Sequence, residues 1–169
     1  MIGHRHWQYL NGGIHAWAAS GGELATGSGA TPQASDVSLT VYDAARAGIE
    51  DVLAAIDDPE QQIWDVRSVA EHQGLRSGSA RAGHIPGAVN LDWLLLKNPD
   101  DQQRLQPDMA EFLQAHGVNL SKRLITHCQT HHRSGLSYMV ARLLGSTDIR
   151  AYDGSWSEWG NRDDVPVAR

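Results

Sequence analysis

The chain has 169 residues, 41% of them hydrophobic and 20% charged, which suits one globular domain with some chain to spare. Fourteen Lys and Arg against twenty Asp and Glu give a net charge of −6 with no basic block, which argues against a nucleic-acid partner and makes any anion recognition local. No apolar run nears the roughly 20 residues of a membrane span, the first six residues are too polar for a signal peptide, and a single cysteine excludes an internal disulfide, so a soluble, cytoplasmic protein without a membrane partner is expected.

In chain order, the first pattern is Tyr9 to Trp17, and it returns near the other end as Ala151 to Trp159. Leu10 matches Tyr152, Asn11 matches Asp153, Gly12 matches Gly154 and Trp17 matches Trp159, an offset of 142 (152 minus 10). Each copy predicts a strand end, an Asn-Gly or Asp-Gly turn and a short helix carrying an aromatic residue. The second copy has a whole domain before it and the first has almost nothing. Residues 1–24 are therefore expected to be the closing turn and helix of a preceding domain, 25–38 a Gly/Ser/Thr/Pro-rich linker, and 39–169 a complete domain. Trp7, Tyr9, Leu10, Ile14 and Trp17 are expected to dock, either on residues 39–169 or on a second copy in a homodimer.

Leu39 to Val41 predicts a short strand, and Asp43 is expected to cap a helix through Asp57 with Ala44, Ala47, Val52, Leu53 and Ile56 on its apolar face. Gln62 to Arg67 reads as a buried strand ending in charge, and Ser68 stands at capping-box spacing from Glu71. Gly83 to Gly87 predicts a rigid turn before a strand over Ala88 to Leu91. A helix over Pro107 to His116 with Gly117 behind it, a strand over Arg123 to His127, a helix over Ser134 to Leu144 and a strand over Ile149 to Tyr152 follow. Strands separated by helices predict an α/β fold, a roughly five-stranded parallel sheet with helices on both faces.

The chemistry concentrates between the strand Arg123 to His127 and the helix that begins at Ser134. Cys128, Gln129, Thr130, His131, His132 and Arg133 form a loop that ends on a helix N-terminus, where backbone N–H groups and the helix dipole favour an anion. Arg133, His131 and His132 are expected to surround the sulfur with positive potential and lower its pKa. A buried structural cysteine would not explain so many polar neighbours. Zinc is disfavoured because His127, Cys128, His131 and His132 come from one short segment, so neither metal nor cofactor is expected.

Together these residues resemble the rhodanese-type sulfurtransferases. The resemblance rests on Asp65-Val66-Arg67, on Gly83-His84-Ile85-Pro86-Gly87-Ala88 with Asn90, on Cys128 to Gly135, and on Tyr152 to Trp159, in order, over about 130 residues. The loop is similar to that of bacterial tandem-domain rhodaneses, in which the second domain carries the active cysteine. The resemblance implies a rhodanese-like fold and a thiosulfate sulfurtransferase. Cys128 would be the nucleophile and persulfide carrier. Gln129, Thr130, His131, His132 and Arg133 would bind substrate, and Asp65, Arg67 and Ser134 would support the site. The partners implied are a small-molecule sulfur donor, a cyanide or thiol acceptor, and a protein acceptor as a further option. Some members place a basic residue directly after the cysteine and an arginine beyond the Asp-Val-Arg segment, where this chain has Gln129 and Glu71. The Gly-Ser-Gly loop of mercaptopyruvate-using relatives is absent. Two other readings stand beside sulfur transfer: a non-enzymatic persulfide carrier, and a Cys-dependent phosphatase or arsenate reductase, although those related to this fold separate Cys from Arg by five residues and here four intervene.

Overall fold

A computed structural model describes residues 7–169. Residues 1–6, the head of the expected 1–24 segment, lie outside the described residues. In chain order the strands are β1 (Arg46–Ala47), β2 (Gln61–Asp65), β3 (Val89–Asn90), β4 (Lys97–Asn98), β5 (Arg104–Leu105), β6 (Arg123–His127) and β7 (Ile149–Tyr152). Five of them form one parallel sheet in the order β1-β7-β6-β2-β3, and β4 with β5 makes a separate antiparallel pair. The helices are α1 (Gly13–Ala19), α2 (Ile49–Ile56), α3 (Val69–His72), α4 (Met109–Ala115), α5 (Ser134–Leu143) and α6 (Ser155–Trp159).

Side chains of a strand alternate between faces, and here each face has its own core. Ile63 of β2 and Ile125 of β6 point to a layer with Val52 and Ala55 of α2, Tyr152, and Trp156 and Trp159 of α6. Trp64 and Val66 point the other way, into a core with Met109 and Leu113 of α4 and Val140 of α5. Leu124 joins Ala141 of α5 on that second face. Helices on both faces cover the parallel strands, which is why the strands read as continuous apolar runs. The parity also fixes the site. Asp65 follows Ile63 and His127 follows Ile125, and the β2–β6 register sets Asp65 opposite His127 at the carboxyl edge of the sheet.

The strands 123–127 and 149–152 form as the sequence predicts, and Gly117 and Gly145 end α4 and α5 with φ of 83° and 91°. Two expectations fail. Leu39 to Val41 is irregular and exposed, and the helix expected over Asp43 to Asp57 is broken. Asp43–Ala45 makes only a 3-10 turn, and Arg46–Ala47 extends to pair with Ala151–Tyr152. The ladder bonds of that edge, together with the Arg46–Asp153 ion pair at 2.8 Å, replace helical ones. The helix then restarts at Gly48, whose N–H donates to the Asp51 carboxylate at 2.8 Å.

The turn before α1 rests on the β4–β5 pair. The Asn11 side-chain oxygen accepts from the Leu105 N–H at 2.7 Å, and a Cβ on Gly12 would come 2.8 Å from the Gln102 carbonyl oxygen. Trp7, Leu10, Ile14 and Trp17 nevertheless stay between 44% and 62% exposed. The two copies of the repeated pattern also agree in backbone. Gly13 and Ser155, equivalent at the same offset, both enter their helices in the left-handed region, with φ of 56° and 53°. No helix among the described residues is long and apolar enough to cross a membrane.

Candidate active site

Strand β6 delivers Cys128 to the carboxyl edge of the sheet, and the chain then turns sharply into α5. Thr126 of β6 and Ser137 of α5 share a hydrogen bond of 2.7 Å in the buried interface, which ties the strand to the helix on either side of the loop. The start of the loop is clamped from the far end of the domain. The backbone N–H of Trp156 donates to the Cys128 carbonyl at 3.0 Å and that of Ser157 to the Gln129 carbonyl at 2.9 Å. Ser155, in its left-handed conformation, turns its hydroxyl to accept from the Cys128 N–H at 3.4 Å while donating to the Tyr152 carbonyl at 2.9 Å.

Cys128 is fully buried. Burial pushes its thiol up, but hydrogen bonds from the N–H and hydroxyl of Ser134 and from the backbone N–H groups of Thr130 and Arg133 outweigh it, leaving the pKa below its ordinary value. The donors thus form a ring of N–H groups closed by one hydroxyl. His131, whose φ of 65° is unusual for a non-glycine residue, places Nδ1 2.8 Å from the Ser134 oxygen. Burial pushes its imidazole below the ordinary value, which favours the neutral form. A neutral His131 carrying its proton on Nδ1 donates to Ser134 and frees the Ser134 proton for the sulfur.

Arg133 faces both the sulfur and Glu71. Its guanidinium makes two hydrogen bonds of 2.8 Å to the two oxygens of Glu71, which the hydrogen bonds to Arg133 pull down to about 2. The Arg133 side chain also reaches the sulfur, and the charge and hydrogen bonding of Cys128 help hold the guanidinium charged. Burial disfavours charge on His131 and Glu71 shares Arg133, so oriented N–H and O–H dipoles act together with that one side chain in favouring the anion. Glu71 also serves the capping box anticipated from the sequence, accepting from the Ser68 N–H at 3.1 Å.

The remaining site candidates separate into two groups. Gln129 turns its amide to the Ser79 hydroxyl at 3.1 Å, and Thr130 and His132 bond to each other at 3.1 Å at the exposed tip. Asp65 and Arg67 lie below the loop, fully buried. Arg67 Nη2 donates to Asp65 at 2.6 Å and to the Gly83 carbonyl at 2.8 Å, its guanidinium carbon stands 4.3 Å from the Trp156 ring centre, and His72 Nδ1 is 3.0 Å from Asp65. Burial opposes ionisation of Asp65, yet these partners hold its carboxyl far below the usual range. His72 in turn stacks on His84 at 3.7 Å. This node fixes the turn before β3 and the floor beneath the loop. Ser155, Ser79 and His72 were not singled out from the sequence. Of these only Ser155 carried a signal, through its place in the repeat.

Beside the loop a cleft of about 400 Å³ is lined by Glu71, Arg76, Ser77, Gly78, Gln129 and Arg133. Among the described residues, no group of three His, Cys, Asp or Glu side chains stands where it could share a metal ion.

Comparison with known proteins matches residues 49–162 to the rhodanese-like domain. The chain is 42% identical over 167 residues to a thiosulfate sulfurtransferase of Pseudomonas aeruginosa, covering 99% of this chain and 61% of that protein. It is 32% identical over 182 residues to a sulfur carrier protein, TtuD, of Thermus thermophilus, covering 99% of this chain and 63% of the relative. The chain thus spans about three fifths of the length of these relatives. In structure it is similar to an anaerobic ergothioneine biosynthesis enzyme of Chlorobium limicola, with a TM-score of 0.81 and 23% identity over 94% of this chain and 40% of that one.

Proposed function

Because the chain belongs to the rhodanese-like domain family, we propose that it moves sulfane sulfur from thiosulfate or a related donor to cyanide or a thiol acceptor through a persulfide on Cys128. The observation that carries this is the ring of donors around one buried sulfur, which favours an anion there without a general base. The Cys128 thiolate attacks the outer sulfur of thiosulfate, the S–S bond breaks, and sulfite leaves with the bonding pair. Cyanide or a thiolate then attacks the terminal sulfur of the Cys128 persulfide, taking it as thiocyanate or a new persulfide and returning the Cys128 thiolate. Gln129, Thr130, His131, His132 and Arg133 shape the substrate side of the loop, and Asp65, Arg67 and Ser134 support it. Replacing Cys128 by Ser or Ala is expected to abolish thiocyanate release while leaving the circular dichroism unchanged. Substantial turnover in either variant would remove Cys128 from the mechanism.

A second reading, a sulfur carrier that hands its persulfide to a protein, is favoured by the name of the Thermus thermophilus relative. It predicts one stoichiometric discharge to cyanide in place of repeated turnover in the same assay. The proposal includes residues 1–24 as a remnant of a first rhodanese-like domain, 25–38 as linker and 39–169 as the catalytic domain, acting in the cytoplasm. It also includes a homodimer formed through the exposed aromatic face around α1.

A further inference from the structure

We propose that Arg76, beyond the Glu71-paired Arg133, selects anionic sulfur donors by keeping the cleft beside the Cys128 loop net positive. This rests on the sulfur-transfer reading above and names a residue that the loop itself does not contain. Three charged side chains line the cleft: Glu71, Arg76 and Arg133. Glu71 and Arg133 neutralise each other through two hydrogen bonds of 2.8 Å. Arg76 is exposed, and among the described residues no carboxylate stands within salt-bridge distance of it. The other lining groups add no cation. The Ser77 hydroxyl is turned to the Ser79 and Arg81 carbonyls at 3.0 Å each, and the Gln129 amide to Ser79. The position of Arg76 is fixed through its backbone. Its N–H donates to the Ala70 carbonyl at 3.1 Å just past α3, after Gly74 has turned the chain at φ of 73°. Two residues on, the chain packs on the loop itself, since a Cβ at Gly78 would lie 3.3 Å from the Gln129 amide nitrogen. In a protein with a net charge of −6, an anionic donor thus meets one uncompensated positive charge at this mouth.

The test is a charge ladder in the full chain: Arg76→Lys, Arg76→Ala, Arg76→Glu and Glu71→Gln. Glutamine keeps the capping-box geometry at position 71 but releases Arg133. For a dianionic donor about 8 Å away across water, each unit of charge changes kcat/KM for thiosulfate by about fivefold at low salt. Expected are a value near the parent for Arg76→Lys, a fall of about fivefold for Arg76→Ala and about 25-fold for Arg76→Glu, and a rise for Glu71→Gln, all compressing at high salt. Values within twofold of the parent across the series would overturn the proposal. Modification of Cys128 by sulfonate-bearing and by ammonium-bearing methanethiosulfonates reads the same charge without sulfur transfer. The ratio of the two rates is expected to fall about 25-fold from parent to Arg76→Glu, and an unchanged ratio would also overturn it. A parent that releases no thiocyanate but shows the shifting ratio would sink the sulfur-transfer reading alone.

Discussion

Hydrogen-bond donors lower the Cys128 pKa against its burial, and they come from residues that neighbour it in sequence. Ser134 gives both N–H and hydroxyl, and Arg133 reaches the sulfur while paired with Glu71. A hydrogen bond to a charged group is worth about 1.5 to 3 kcal/mol, so Ser134→Ala is expected to raise the alkylation midpoint of Cys128 by about one pH unit. Removing the ion pair as a unit, with Arg133→Ala and Glu71→Gln together, is expected to raise it by less than Ser134→Ala, since one side-chain donor leaves the sulfur and the opposing Glu71 charge leaves with it. Alkylation rate against pH checks both, and an unmoved midpoint in Ser134→Ala would return the stabilisation to net charge. The loop was legible because its groups are local, a strand end, six polar residues and a helix start. The partner of Arg133 was not, because Glu71 stands 62 residues away and is brought there only by the packing of α3 against the sheet edge.

Among the elements, β2 and β6 were readable from their buried apolar runs, and their shared register sets Asp65 beside His127. The region 39–57 was not, since Arg46 and Ala47 have no strand pattern of their own and extend only because β7 offers an edge. Element α1 is a different case. Its turn is anchored by the Asn11–Leu105 hydrogen bond, while Trp7, Leu10, Ile14 and Trp17 keep an apolar face open to solvent. Fully burying one such side chain is worth about 1.5 to 3 kcal/mol, enough for this face to pair with its copy. Light scattering after size exclusion is expected to show a dimer for the whole chain and a monomer for a chain starting at Ser35. Two monomers of equal thermal stability would contradict the dimer.

In the molecule as a whole, stability and site meet at Asp65. Its carboxyl and that of Glu71 are both held below their unfolded values, so the stability they contribute is complete above about pH 5 and is lost as pH falls from about 4. The Glu71 part ends near pH 2, and the Asp65 part continues below it. Asp65→Asn is expected to flatten the acid limb of urea-denaturation midpoints and to cost about 3 to 5 kcal/mol at pH 7, since Arg67 would stay buried without its counter-charge. An acid limb as steep as the parent's would place the titrating groups elsewhere. The two-sided core follows from alternation and parallel pairing, whereas the strand order and the clamp of α6 on the Cys128 carbonyl, which joins segments 28 residues apart (156 minus 128), belong to the assembled fold alone.

A sulfur atom carried on Cys128 is read directly by intact-protein mass spectrometry. After incubation with thiosulfate and removal of the excess, the protein is expected to gain one sulfur, ~32 Da, located on the peptide that contains Cys128 and lost on addition of cyanide with one equivalent of thiocyanate formed. An unchanged mass, or an added sulfur that cyanide does not remove, would contradict persulfide transfer.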